Sequence, residues 1–129
     1  SSDLENLLES ISYYDFSDWK VYQSIVAITS ALVFEDFIVE QEVASGNGRC
    51  DIMIEPINKK DFGFIIEVKS IIYKTSAQRL NQRAKGCIKQ IESEQYASKL
   101  FKKGIKTVFV FGIAFNKRNV AVETKTIQK

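Results

Sequence analysis

The sequence predicts an α/β domain whose mixed central sheet is flanked by helices. Three observations predict it. Residues 48–56 and 62–69 read as two short apolar strands, joined by the polar turn Asn58-Lys59-Lys60-Asp61. Residues 77–93 carry Leu80, Ala84, Cys87, Ile88 and Ile91 at helical spacing. Residues 107–111, Thr-Val-Phe-Val-Phe, form a buried strand. A strand that crosses over through a helix to a further strand implies a parallel pair, so the sheet should be mixed.

The elements follow in order. Leu4, Leu7, Leu8 and Ile11 set a first helix over residues 3–11, with Asp3 as its N-cap. Residues 13–17 read as a connection. A second helix starts near Ser17 or Asp18, where an acid suits the positive helix end, and runs to about Val33. Its apolar face comprises Tyr22, Ile25, Val26, Ile28, Leu32 and Val33. Residues 37–43 alternate in part and read as the first strand, and Ala44-Ser45-Gly46-Asn47-Gly48 as a tight turn. After the hairpin, Ser76 caps the long helix. A short helical turn over 96–102 ends at Gly104, and residues 120–126 complete the sheet as an edge strand.

Composition bounds the function. At 129 residues the chain is read as one domain spanning 1–129, with apolar and charged fractions of 45% and 26%. No apolar run reaches membrane-spanning length, and no membrane partner is expected. The chain opens on Ser1-Ser2 rather than Met, which reads as the cut edge of a longer protein, with other domains of that parent as partners. Cys50 and Cys87 lack disulfide or zinc spacing and read as buried thiols in a reduced, intracellular setting. Histidine is absent, which excludes His-dependent triads and His-ligated metals. The net charge of +2 hides an asymmetry. Residues 1–68 hold thirteen acids against four bases, and residues 69–129 hold three against fourteen. A basic half is the footprint of a polyanion binder, or a solubilising surface.

The chemistry concentrates at the hairpin. A turn centred between Asn58 and Lys59 pairs residues whose numbers sum to about 117, which sets Asp51 opposite Ile66 or Glu67. Glu67 and Lys69 share a face by alternation. Asp51 and Glu67 could hold Mg²⁺ or Mn²⁺, since hard cations prefer carboxylate oxygen and Mg²⁺ keeps several waters. The Val68 carbonyl would be the simplest third ligand. Lys69 beside such an ion could orient a water or offset developing charge. The alternative is a salt-bridged trio with Lys69 between two acids.

Asp51, followed on the next strand by Glu67-Val68-Lys69, resembles the motif of the PD-(D/E)XK nuclease superfamily, with Cys50 in place of the Pro before the Asp. Ser45-Gly46-Asn47-Gly48-Arg49-Cys50-Asp51 is similar to the S-G-x-G-R-x-D of a bacterial branch often found behind an AAA-ATPase-like domain. Gln90-Ile91, with Tyr96 six residues after Gln90, resembles its helix motif, and Gly112-Ile113-Ala114-Phe115 its G-I-x-F strand end. Tyr22-Gln23 stands where the branch often has His. The resemblance spans roughly residues 20–122 and implies a restriction-endonuclease-like αβββαβ core.

The resemblance implies that Asp51 and Glu67 are metal ligands, that Lys69 is the catalytic lysine, and that Gln90 approaches the site from its helix. Arg49 either contacts phosphate or pairs with Glu42, the second being favoured. Glu42 could also add an outer carboxylate. Tyr96 reads as a core aromatic with a satisfied hydroxyl. Arg79, Arg83, Lys85 and Lys89 lie on the long helix and either hold the phosphate backbone or form a solvated face. The expected function is metal-dependent hydrolysis of phosphodiester bonds, of DNA rather than RNA, by an endonuclease that reads as the effector domain of a toxin or mobile-element protein and could form a homodimer. The alternative is a non-catalytic nuclease-like module that binds nucleic acid or a partner protein, or an interaction domain alone.

Overall fold

A computed structural model describes residues 36–58, 62–71, 74–116 and 119–129. Both helices expected before residue 35 lie outside the described residues, as does most of the expected turn between the hairpin strands. The described chain runs β1 (Phe37–Ser45), β2 (Gly48–Pro56), β3 (Gly63–Ser70), α1 (Ala77–Ser93), α2 (Ser98–Lys102), β4 (Thr107–Asn116) and β5 (Asn119–Gln128). The five strands form one sheet in the order β1-β2-β3-β4-β5. Only the β3–β4 pair is parallel, from Gly63↔Val108 to Ser70↔Phe115, because α1 and α2 intervene and return the chain. The mixed α/β sheet is therefore the restriction-endonuclease-like arrangement expected.

Both faces of the middle strands are buried. One face carries Ile52, Ile54, Phe64, Ile66, Val68, Phe111, Ile113 and Phe115. The other carries Met53, Ile65, Val108 and Val110, packed beneath Ile88, Ile91, Ala97 and Leu100 of the helical layer. This explains why these strands read as nearly continuous apolar runs.

The helix α1 forms where its pattern placed it. The Ser76 hydroxyl accepts from the Arg79 N–H, and Leu80, Ala84, Cys87, Ile88 and Ile91 face inward. Its end is closed by Gln95 in the left-handed region (φ 56°), with the Tyr96 N–H donating to Ile91 O at 3.1 Å.

Strand β4 runs beyond the five-residue apolar run, through the Gly112–Phe115 strand end that the resemblance implied, to Asn116. Glycine weakens an isolated strand, but β5 pairs with β4 along its whole length, from Thr107↔Gln128 to Asn116↔Asn119. Gly112 itself is where α1 comes down on the sheet. A Cβ there would collide with the Ala84 carbonyl oxygen and lie 2.8 Å from Cys87 Cβ. Gly112 is also the β4 partner of Glu67, so the closest approach of helix to sheet lies beside that acid. Replacing Gly112 with Ala should force α1 outward and cost about 1–3 kcal/mol. Thermal unfolding should show a Tm lowered by several degrees, and an unchanged Tm would contradict this seating of the helix.

Candidate active site

The β2–β3 ladder pairs Ile54↔Phe64, Met53↔Ile65 and Ile52↔Ile66. One residue further, side chains replace ladder bonds. The Asp51 N–H donates to Glu67 Oε1 at 2.8 Å, and the Val68 N–H donates to Asp51 Oδ2 at 2.8 Å. Each carboxylate is thus held by the backbone of the opposite strand. The expected pairing was off by at most one residue, and Asp51 stands beside Glu67 rather than Ile66.

On its other side Asp51 meets β1, whose pairs Gln41↔Ile52 and Val43↔Cys50 bracket Glu42. Glu42 has φ 52°, an uncommon conformation for a residue with a side chain. The in–out alternation inverts here. Val39 packs against the face of Ile52 and Ile54, whereas Val43 and Cys50 lie with Met53 on the face beneath α1. A local break of this kind re-aims side chains as a bulge does. Sequence reasoning missed it, although Glu40-Gln41-Glu42 interrupts the apolar alternation and was the available signal. The break also corrects the reading of Arg49. Among the described residues Arg49 forms no ion pair, with Glu42 or otherwise, and it is exposed across from Ala44.

Burial dominates the electrostatics. Glu67 is 2% exposed, and burial followed by the neighbouring Asp51 charge pushes its carboxyl up to about 8. Asp51 is raised as well, first by burial, against the stabilising Val68 N–H and with Glu42 adding repulsion. The two carboxyls are close enough to share a hydrogen bond. Lys69 is exposed and its charge favours ionisation of both acids, but among the described residues it forms no ion pair. The salt-bridged trio is therefore not formed. Cys50 and Cys87 are free, buried thiols pushed up to about 12, so they stay protonated at neutral pH.

The helix side of the site is set by a joint between the β1–β2 turn and the end of α1. The Ser45 hydroxyl donates to Tyr96 O at 2.6 Å, and the Asn47 N–H donates to Glu94 O at 2.8 Å. Gly46 (φ 57°) lies so close to the Glu94 and Gln95 carbonyls that no Cβ fits. Gly48 lies against the Tyr96 ring. Tyr96 is buried as expected, and its hydroxyl accepts from Gln90 Nε2 at 3.1 Å. The Ser-Gly-x-Gly and Gln…Tyr motifs are thus two halves of one contact. It holds the amide of Gln90 in place, and Tyr96 feels the charge of Glu67.

Arg79, Arg83, Lys85 and Lys89 are all exposed on α1, but on different sides of it. Arg79, Arg83 and Gln90 lie within about 40° of one another round the helix, while Lys85 and Lys89 are roughly 100–140° away. The Arg flank faces Ile71 at the end of β3. The opposite flank faces β5, where Glu92 pairs with Lys125 at 2.8 Å. Of the lysines after the helix, Lys103 is engaged by the buried Glu55 at 2.8 Å.

The family model of the PD-(D/E)XK nuclease superfamily matches residues 18–125. The chain belongs to the PD-(D/E)XK nuclease superfamily. The match covers all of the described site, and it makes a nuclease-type fold a property of this chain. No curated protein matches the chain. A solved structure, the crystal structure of SSO0001, is 18% identical, with a TM-score of 0.34 over 81% of this chain and 50% of that one. The chain therefore spans half the length of that protein, and so distant a likeness carries no argument about function. No helix among the described residues is long and apolar enough to cross a membrane.

As a PD-(D/E)XK site, the donor set suits a hard divalent ion. The buried Glu67 and the half-buried Asp51 lie side by side, and neither forms an ion pair with Lys69. Among the described residues no group of three or more His, Cys, Asp or Glu could hold a metal, so any ion here would complete its shell with backbone oxygen and water. The raised Glu67 carboxyl has a consequence for stability. Its folded pKa of about 8 lies above the ordinary 4.5, so in metal-free protein the folded state holds the extra proton between these values. Stability should therefore fall as pH rises from about 4.5 to about 8. Urea midpoints in EDTA should decline across that window in wild type, and the decline should be much shallower in Glu67→Gln. An equal decline in both would assign the effect to other groups.

Proposed function

We propose that this domain is a metal-dependent endonuclease that hydrolyses phosphodiester bonds, of DNA in preference to RNA. The observation that carries the reading is the reciprocal locking of Asp51 and Glu67 by each other's strands, which keeps a half-buried and a buried acid together. Asp51, Glu67 and the Val68 carbonyl would hold Mg²⁺ or Mn²⁺, which when bound would polarise the phosphodiester and acidify a water. The Val68 N–H is turned toward β2, and in a strand the carbonyl of the same residue points the same way, toward Asp51. Lys69, in no ion pair among the described residues and on the strand face of Glu67, orients the attacking water or offsets charge developing on the phosphate. Gln90, held by Tyr96, offers its amide toward the substrate from the Arg flank of α1. Arg49 is an exposed cation two residues from Asp51 and suits a phosphate contact.

The test is cleavage of plasmid, single-stranded DNA and RNA with Mg²⁺, Mn²⁺ or EDTA. Activity should require the divalent ion. Asp51→Asn should abolish cleavage, and Lys69→Ala should lower it by about 10²–10³-fold. Neither should lower Tm, because Lys69 is exposed and Asp51→Asn removes repulsion from Glu67. Wild-type rates in both variants would defeat the proposal.

A further inference from the structure

Past the acid pair, β3 ends and the chain runs through Ile71 to the start of α1. Between them is a cavity of about 370 Å³, lined by Ile71, Thr75, Arg79, Gln82 and Arg83. This volume falls in the range of small-ligand sites. Its polar lining is cationic and amide in character, with no acid among the described residues that form it. Among the described residues neither Arg79 nor Arg83 forms an ion pair, in contrast to Lys103 and Lys125, which are engaged by Glu55 and Glu92. Thr75 Oγ1, in the cavity wall, is shielded from solvent and has no hydrogen-bond partner. The start of a 17-residue helix lies here too, and its positive end adds to the potential.

The position relative to the acid pair is defined along the helix. Arg79, Arg83 and Gln90 follow one flank, and the rise from Arg83 to Gln90 is about 10 Å. Along one strand of a duplex that distance spans about three nucleotide steps. Guanidinium groups four residues apart on one flank can grip a phosphate with paired N–H donors, which a lysine cannot match.

We propose that the cavity between Ile71 and α1 is a phosphate subsite, in which Arg79 and Arg83 hold the nucleic-acid backbone on one side of the Asp51–Glu67 pair. Lys85 and Lys89, turned away from that side, take no part in it. The proposal rests on the nuclease reading for the choice of polyanion, but binding tests it without cleavage.

The experiment is equilibrium binding of the full chain to a fluorescein-labelled 20-nucleotide DNA, duplex and single-stranded, in EDTA across a salt series. Wild type is compared with Arg79→Ala/Arg83→Ala and with Lys85→Ala/Lys89→Ala. All four side chains are exposed, so Tm should be unchanged in both variants, which serves as the folding control. Losing two phosphate contacts should make the slope of log K against log salt shallower by about 1.8 on duplex DNA. The arginine variant should show that change, and the lysine variant should keep the wild-type slope. Equal slopes in the two variants would mean undirected surface charge and overturn the subsite. Binding that follows the arginines in a protein without cleavage activity would keep the subsite and defeat the nuclease reading alone.

Discussion

Two acids set side by side, Glu67 buried and Asp51 half-buried, repel each other, and this sheet holds them together regardless. The bonds that do so run crosswise, from the Asp51 N–H to Glu67 and from the Val68 N–H to Asp51. Both carboxylates thereby substitute for ladder carbonyls at the place where β2 and β3 stop pairing. The backbone groups at the end of the ladder need partners and the carboxylates need donors, and one arrangement meets both needs. Burial still weighs against ionisation, and with the neighbouring Asp51 charge it pushes the Glu67 carboxyl up to about 8.

The surroundings follow from that constraint. The left-handed backbone at Glu42 lets β1 pass Asp51 while Cys50 and Val43 turn inward. Gly112 lets α1 press on the sheet next to Glu67 and keeps water from the acid. Ser45, Gly46, Asn47 and Gly48 then fasten the β1–β2 turn to the end of the same helix at Glu94–Tyr96. Hairpin and helix are therefore one rigid support, and residues far apart in the chain, such as Gly48 and Gln90, meet through Tyr96.

Much of this was legible in the residues, for identifiable reasons. The β2–β3 hairpin announced itself because a polar turn separates two apolar runs, and counting back from the turn put Asp51 within one residue of Glu67. The span of α1 was legible because Ser76 caps a regular apolar stripe. The inversion at Glu42 was not, because the polar run Glu40-Gln41-Glu42 marks an interrupted alternation without signalling a positive φ, and the Arg49–Glu42 bridge that was favoured does not form among the described residues. The full length of β4 was legible only in part, since the apolar run stops at Phe111 and the resemblance alone carried the strand on through Gly112 to Phe115. The function of the Ser-Gly-x-Gly turn also lay beyond the sequence, since its partners are backbone carbonyls some fifty residues away.

The central claim is that Asp51 and Glu67 form a pocket awaiting a hard divalent ion. Calorimetric titration of the full chain with Mn²⁺ tests it most directly, beside Asp51→Asn and Glu67→Gln, each shown to be folded by its unfolding transition. The account predicts one saturable site per chain in wild type, lost in both variants. Undiminished binding in either variant, or no saturable binding in wild type, would contradict it.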